Sequence, residues 1–177
     1  MGAAGQAIQS LDQAISQAEP TPEVKAPKEY YYYRGRAYNE AQDYQLAYKD
    51  LSEAIRLDES KSYADAYHQR GIALRQSGQI KRAQKDLEKA IGLDATKKEY
   101  YTDLGVLFYA DKKPEKAIEA LTKAIELTEA ESPEGKTEEE LEKGYPDPYV
   151  ARGAAYIVLG KQAKSSQASH EAYEHAV

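Results

Sequence analysis

The chain has 177 residues, 41% of them apolar, which is material for one folded core or for a few stacked repeats. A net charge of −6 argues against a nucleic-acid binder carried by bulk positive charge. The absence of cysteine excludes a disulfide framework, a thiolate metal site and a cysteine nucleophile in this sequence, and leaves the redox compartment unreadable.

Taken in chain order, residues 3–18 place Ala7-Ile8, Leu11, Ala14-Ile15 and Ala18 at helical spacing and predict one amphipathic helix. The segment 19–28, EPTPEVKAPK, carries three prolines and predicts a linker. From there the sequence repeats itself. YYYRGRAY at 31–38, YHQRGIAL at 67–74, YTDLGVLF at 101–108 and YVARGAAY at 149–156 share one pattern around Gly35, Gly71, Gly105 and Gly153. Twelve residues after each glycine stand Ala47, Ala83, Ala117 and Ser165. In the first three units Leu51, Leu87 and Leu121 follow, then Ala54, Ala90 and Ala124.

This pattern resembles the tetratricopeptide repeat, with Tyr31, Tyr67, Tyr101 and Tyr149 in the place of its signature Trp. The physics agrees with the resemblance, because a glycine where two helices cross lets their backbones approach while large residues wedge on either side. Turns fall at Ala41-Gln42-Asp43, Ser77-Gly78-Gln79 and Asp111-Lys112-Lys113-Pro114. The resemblance implies an all-α, right-handed α-solenoid of stacked antiparallel helix-turn-helix repeats. Repeats are expected over 28–61, 64–97 and 98–130, with 3–18 resembling the second helix of an incomplete repeat. An acidic insertion is expected at 131–146, and a degenerate fourth repeat over 147–177, whose second helix holds Ser165 and Ser169 where Ala and Leu stood before.

The resemblance also implies that the first helices line a concave face and that a protein or peptide partner binds there. The residues expected to meet it are Tyr32, Tyr33, Arg36, Asn39, His68, Gln69, Arg75, Asp103 and Tyr109. Some members of the family grip acidic chaperone tails through a set of Lys, Asn and Arg. Here the corresponding places hold Tyr32, Arg36, Gln69, Glu99 and Asp103, a single cation, so chaperone-tail binding is not expected.

In the fourth unit Val150, Ala154, Ile157 and Val158 make an apolar stripe that needs a cover. A terminal helix folding back, a second copy of the chain and a partner's helix are all open covers, and the second would make the chain a self-associating module.

Lys81, Arg82, Lys85 and Lys89 form a basic stripe at helical spacing, too short and without the interleaved aromatics that single-stranded nucleic acid needs. Catalysis is not expected. The histidines are His68, His170 and His175, the last two spaced by five rather than the four that aligns ligands on a helix, and no phosphate loop or nucleophile motif occurs. No cofactor or metal is implied. No stretch approaches the roughly 18 apolar residues of a membrane span, and a soluble protein is expected.

Overall fold

The computed structural model describes residues 2–19, 21, 24–131 and 147–174. These form helices α1 (Ala3–Ala18), α2 (Lys28–Glu40), α3 (Tyr44–Leu57), α4 (Ala64–Gln76), α5 (Ile80–Leu93), α6 (Lys98–Ala110), α7 (Pro114–Glu131) and α8 (Pro148–Glu174). The expected acidic insertion lies outside the described residues, apart from Glu131 at the end of α7, and so does His175. No helix among the described residues is long and apolar enough to cross a membrane.

The chain forms two compact units, Met1–Ala95 and Thr96–Val177. In the first, α2 pairs with α3 and α4 with α5, while α1 packs on α2 and α3 on α4. In the second, α6 pairs with α7, and α8 packs on both.

Each hairpin is closed by the same device. A Cβ added at Gly35 would stand 2.7 Å from Leu51 Cγ, at Gly71 2.9 Å from Leu87 Cγ, and at Gly105 2.4 Å from Leu121 Cγ. The second-helix leucine therefore occupies the space that a side chain on the first helix would need. Leu51, Leu87 and Leu121 are fully buried there, each worth about 2–3 kcal/mol relative to exposure. The alanines on either side, Ala47 and Ala54, Ala83 and Ala90, and Ala117 and Ala124, are buried completely and keep the two helices close.

The turns are equally regular. Gln42 (φ 64°), Gly78 (φ 74°) and Lys112 (φ 58°) adopt the left-handed conformation. Each lets the next backbone N–H return to a carbonyl of the first helix: Asp43 to Tyr38 at 2.8 Å, Gln79 to Leu74 at 2.9 Å, Lys113 to Phe108 at 2.9 Å. Pro114 then opens α7, where its missing N–H breaks no helical bond.

The linker is fastened rather than loose at its second end. Ala26 is buried, and its N–H donates to the Glu19 carboxylate at 2.9 Å, which also accepts from the Tyr31 hydroxyl. The Tyr31 hydroxyl, then the Ala26 N–H, holds the Glu19 carboxyl below its ordinary range.

The fourth unit departs from the expected hairpin. Gly160 stands seven residues after Gly153, the spacing at which Gln42, Gly78 and Lys112 turn the earlier units, yet α8 runs through it unbroken. The physical reason lies at Ser169, which replaces the leucine that fills the crossing elsewhere: folding back gains too little apolar contact to offset the broken helical bonds.

Candidate functional site

The first-helix residues of unit 1 that face outward come from α2 and α4, which pack side by side. Tyr33 is 52% exposed and stands edge-on to Tyr32, with ring centroids 5.2 Å apart. Tyr32 itself is buried, packed at a tilt of 37° against Tyr63 with centroids 5.0 Å apart, and the Arg36 guanidinium lies over its ring at 5.9 Å. Burial pushes the Tyr32 and Tyr63 hydroxyls upward in pKa, so both remain protonated donors through neutral pH. Lys28 lies 5.1 Å over the Tyr63 ring. The result is an aromatic ledge edged by two cations, with one ring, Tyr33, presented to solvent.

Asn39 extends this face toward α4. Its side-chain amide donates to the Gln69 carbonyl at 2.9 Å and to Gln69 Oε1 at 3.1 Å, which fixes the spacing of the two helices. Its Oδ1 is buried with no hydrogen-bond partner among the described residues.

The nine residues expected to meet a partner do not share one environment. Tyr33, Arg36 and Tyr109 are exposed, and Asn39, Gln69 and Arg75 are half-buried. Tyr32, His68 and Asp103 are buried. Helical periodicity alone put them on the outer face. The position three before the glycine, held by Tyr32, His68 and Thr102, is buried in all three complete hairpins, and for Tyr32 the cover is Tyr63 from the entry to α4. Asp103 and Tyr109 belong to unit 2, the others to unit 1.

Two ionic devices hold the hairpins. Arg34 chelates Asp50 through Nε at 2.6 Å and Nη2 at 2.9 Å, and Arg70 does the same to Asp86 at 2.7 and 2.9 Å. The remaining Nη1 reaches back to the preceding second-type helix: Arg34 to Asp12 at 2.8 Å, Arg70 to Ser52 at 3.2 Å, and Arg152 to Thr122 at 3.3 Å. The sequence carries the signal of this pairing, because where Leu104 replaces the arginine, Ala120 replaces the acid.

Asp58 is the second device. It is buried at the end of α3, where it accepts from Lys28 Nζ at 2.5 Å, Ser60 Oγ at 2.8 Å, and the Ser62 and Tyr63 N–H groups at 2.7 and 3.1 Å. Burial alone would raise its pKa, but these donors outweigh burial and hold it at about 2.

On the back of unit 1, Lys81, Lys85 and Lys89 are exposed on α5, while Arg82 lies on the Tyr48 ring and donates to its hydroxyl at 2.5 Å. No group of three or more His, Asp or Glu side chains among the described residues could hold a metal ion.

Residues 68–134 match the tetratricopeptide repeat family model. Over that segment the chain is similar to tetratricopeptide repeats. The crystal structure of MamA is 26% identical, with a TM-score of 0.63, over 75% of this chain and 72% of that one. The TPR2B domain of yeast Sti1, solved in complex with pHsp70, shares the fold at 24% identity and a TM-score of 0.61, over 73% of this chain and 96% of that one. YrrB, described as a tetratricopeptide repeat protein with an unusual peptide-binding site, shares it at 21% identity and a TM-score of 0.60, over 74% and 61%. No curated protein matches the sequence. The all-α hairpin-repeat architecture expected from the glycine register is the architecture of these tetratricopeptide repeat structures.

Proposed function

We propose that this chain is an interaction scaffold that holds a peptide segment of a partner protein against the α2 and α4 face of its first unit. The observation that carries this reading is the exposed Tyr33 ring beside the exposed Arg36 guanidinium, on a ledge whose underlying rings are fixed by packing. A rigid aromatic contact with an adjacent cation suits a segment that pairs an apolar or aromatic side chain with a carboxylate. The pHsp70 complex of the Sti1 domain and the peptide-binding site of YrrB, two proteins of this fold, support the class of ligand but not its sequence. The set of cations that would clamp an acidic chaperone tail is absent from the matching positions, so such tails are not the proposed ligand. The reading assigns the chain no reaction and no cofactor.

The test uses peptides selected on the intact chain from a random displayed library. Tyr33→Ala with Arg36→Glu is expected to weaken the selected peptides about 10- to 100-fold with unchanged helicity. Tyr32 is left untouched because its removal would open the core. Undiminished binding by the double variant would remove this face from consideration.

A second reading rests on a separate observation. Val150 is 70% exposed and Ile157 62% exposed on α8, with the half-buried Ala154 and Val158 beside them. An apolar stripe of this kind fits self-association of the chain through its last repeat.

A further inference from the structure

The outer face of α5 differs from the outer faces of its two counterparts. Ten, eleven, fourteen and eighteen residues after the repeat glycine, α3 holds Gln45, Leu46, Lys49 and Glu53, and α7 holds Glu115, Lys116, Glu119 and Lys123, each set with no net charge. In α5 the same places hold Lys81, Arg82, Lys85 and Lys89, all exposed, four cations and no acid. A face that only has to stay wet needs no single sign of charge, and in the other two hairpins it has none.

The pairing along the helix differs too. In α3 Glu53 pairs with Arg56 at 2.6 Å, and in α7 Lys123 pairs with Glu126 at 3.0 Å, in both cases between the places eighteen and twenty-one residues after the glycine. The matching residues of α5 are Lys89 and Gly92, so the cation has lost its partner and bare backbone stands where that partner would be. Among the described residues, Lys81, Lys85 and Lys89 enter no ion pair. Gly92 is exposed, and a Cβ added there would meet nothing within 4 Å, whereas Gly35, Gly71 and Gly105 are each covered by a leucine of a packed helix. At about 1.5 Å and about 100° per residue, the three lysines follow one another every 6 Å or so, and Gly92 falls within the sector they span. Glu88, the exposed acid of this helix, stands at the edge of the sector and accepts from Gln84 Nε2 at 2.7 Å.

We propose that this sector of α5 is a docking surface for an acidic helix of another protein, which sets carboxylates opposite Lys81, Lys85 and Lys89 and brings its backbone close at Gly92. Carboxylates four residues apart on a helix repeat at the same spacing of about 6 Å, so two helices lying nearly along one another keep the rows in register. The glycine supplies the close approach that the chain uses at its own helix crossings. Charge selects a narrow partner over an extended one. The whole chain carries −6, so without Lys81, Arg82, Lys85 and Lys89 the remainder carries −10. A lipid bilayer or a nucleic-acid duplex reaches beyond the strip and is repelled by that remainder over a Debye length of about 8 Å, while a single helix covers the strip alone. The surface lies on a second helix, apart from the α2 and α4 face, and stands or falls independently of the peptide site proposed there.

The probe is a hydrocarbon-stapled, alanine-based helix with glutamate at every fourth position, titrated into the intact chain and followed by amide chemical shifts. The same helix with glutamine is the control. We expect saturable shifts centred on residues 81–92 with the glutamate helix only. Lys85→Glu with Lys89→Glu should weaken binding at least about tenfold, more steeply at low salt. Gly92→Leu keeps every charge and enters open space, so the chain stays folded, yet binding should fall at least about threefold because the close approach is lost. Tyr33→Ala with Arg36→Glu should leave it unchanged. The proposal is overturned by absent shifts or shifts centred elsewhere, by equal binding of the glutamine helix, or by a charge variant that binds like wild type. Indifference to Gly92→Leu overturns it as well, since charge would then attract without helix packing, and so do phosphatidylserine vesicles that bind the chain and displace the peptide.

Discussion

A glycine and a leucine sixteen residues apart determine whether two helices can lie together in this chain. The same substitution should therefore have opposite effects at two glycines that hold the same place in the repeat. Gly105→Ala forces a Cβ to within 2.4 Å of Leu121 Cγ and is expected to cost about 1–3 kcal/mol of stability in chemical denaturation. Gly153→Ala meets nothing within 4 Å among the described residues and should be neutral or stabilising by up to about 1 kcal/mol. The arginine pairs behave likewise as units. Arg70→Leu alone strands the Asp86 carboxylate and should cost about 3–5 kcal/mol. Adding Asp86→Ala recreates the Leu104 and Ala120 combination of the third repeat and should restore most of that loss. Asp58 sets the response to acid. With its pKa at about 2 when folded and near 3.8 when unfolded, its contribution is complete above about pH 4 and disappears as pH falls toward 2. Asp58→Asn should therefore lower the unfolding free energy at neutral pH by about 2 kcal/mol and narrow the gap to wild type through that window, as read from denaturation at fixed pH values.

At the level of helices, the glycine register was enough to place six helices in three hairpins, because each hairpin repeats the same crossing and the same left-handed turn residue. What the sequence hid was context. Tyr32 and His68 sit on the outer face by periodicity, yet packing against neighbouring elements buries them, and periodicity within one helix carries no information about the next. Asp103 is buried where Tyr33 and Gln69, at the same position, are not, so even equivalent positions differ. The continuity of α8 was masked for the opposite reason. Gly160 is a better turn residue than Gln42 or Lys112, but a turn forms only when the helix beyond it gains enough by returning, and Ser169 withholds that gain. Of the binding ledge, Tyr33 and Arg36 were legible from the sequence. The support beneath them was not, since Tyr63 comes from outside the repeat's first helix and Lys28 from its opening residue, a turn before the repeat pattern begins.

For the whole molecule, the exposed stripe on α8 ties oligomeric state to two side chains. If Val150 and Ile157 form a self-association surface, light scattering across a concentration series should show a dimer or larger species that Val150→Glu with Ile157→Glu converts to monomer. A wild-type chain that stays monomeric at the highest concentration removes that reading and leaves the stripe to another cover. The arginine that precedes three of the four repeat glycines has a further consequence, for assembly order. A chain of near-identical hairpins risks docking in the wrong sequence, since any Gly and Leu crossing resembles any other. Arg34, Arg70 and Arg152 each spend two donors or fewer inside their own hairpin and direct Nη1 at one register of the helix before: Asp12, Ser52 and Thr122. These three acceptors are of three different residue types. Each of these three junctions thereby carries its own chemical label, and a hairpin docked out of turn meets an acceptor of the wrong length or charge.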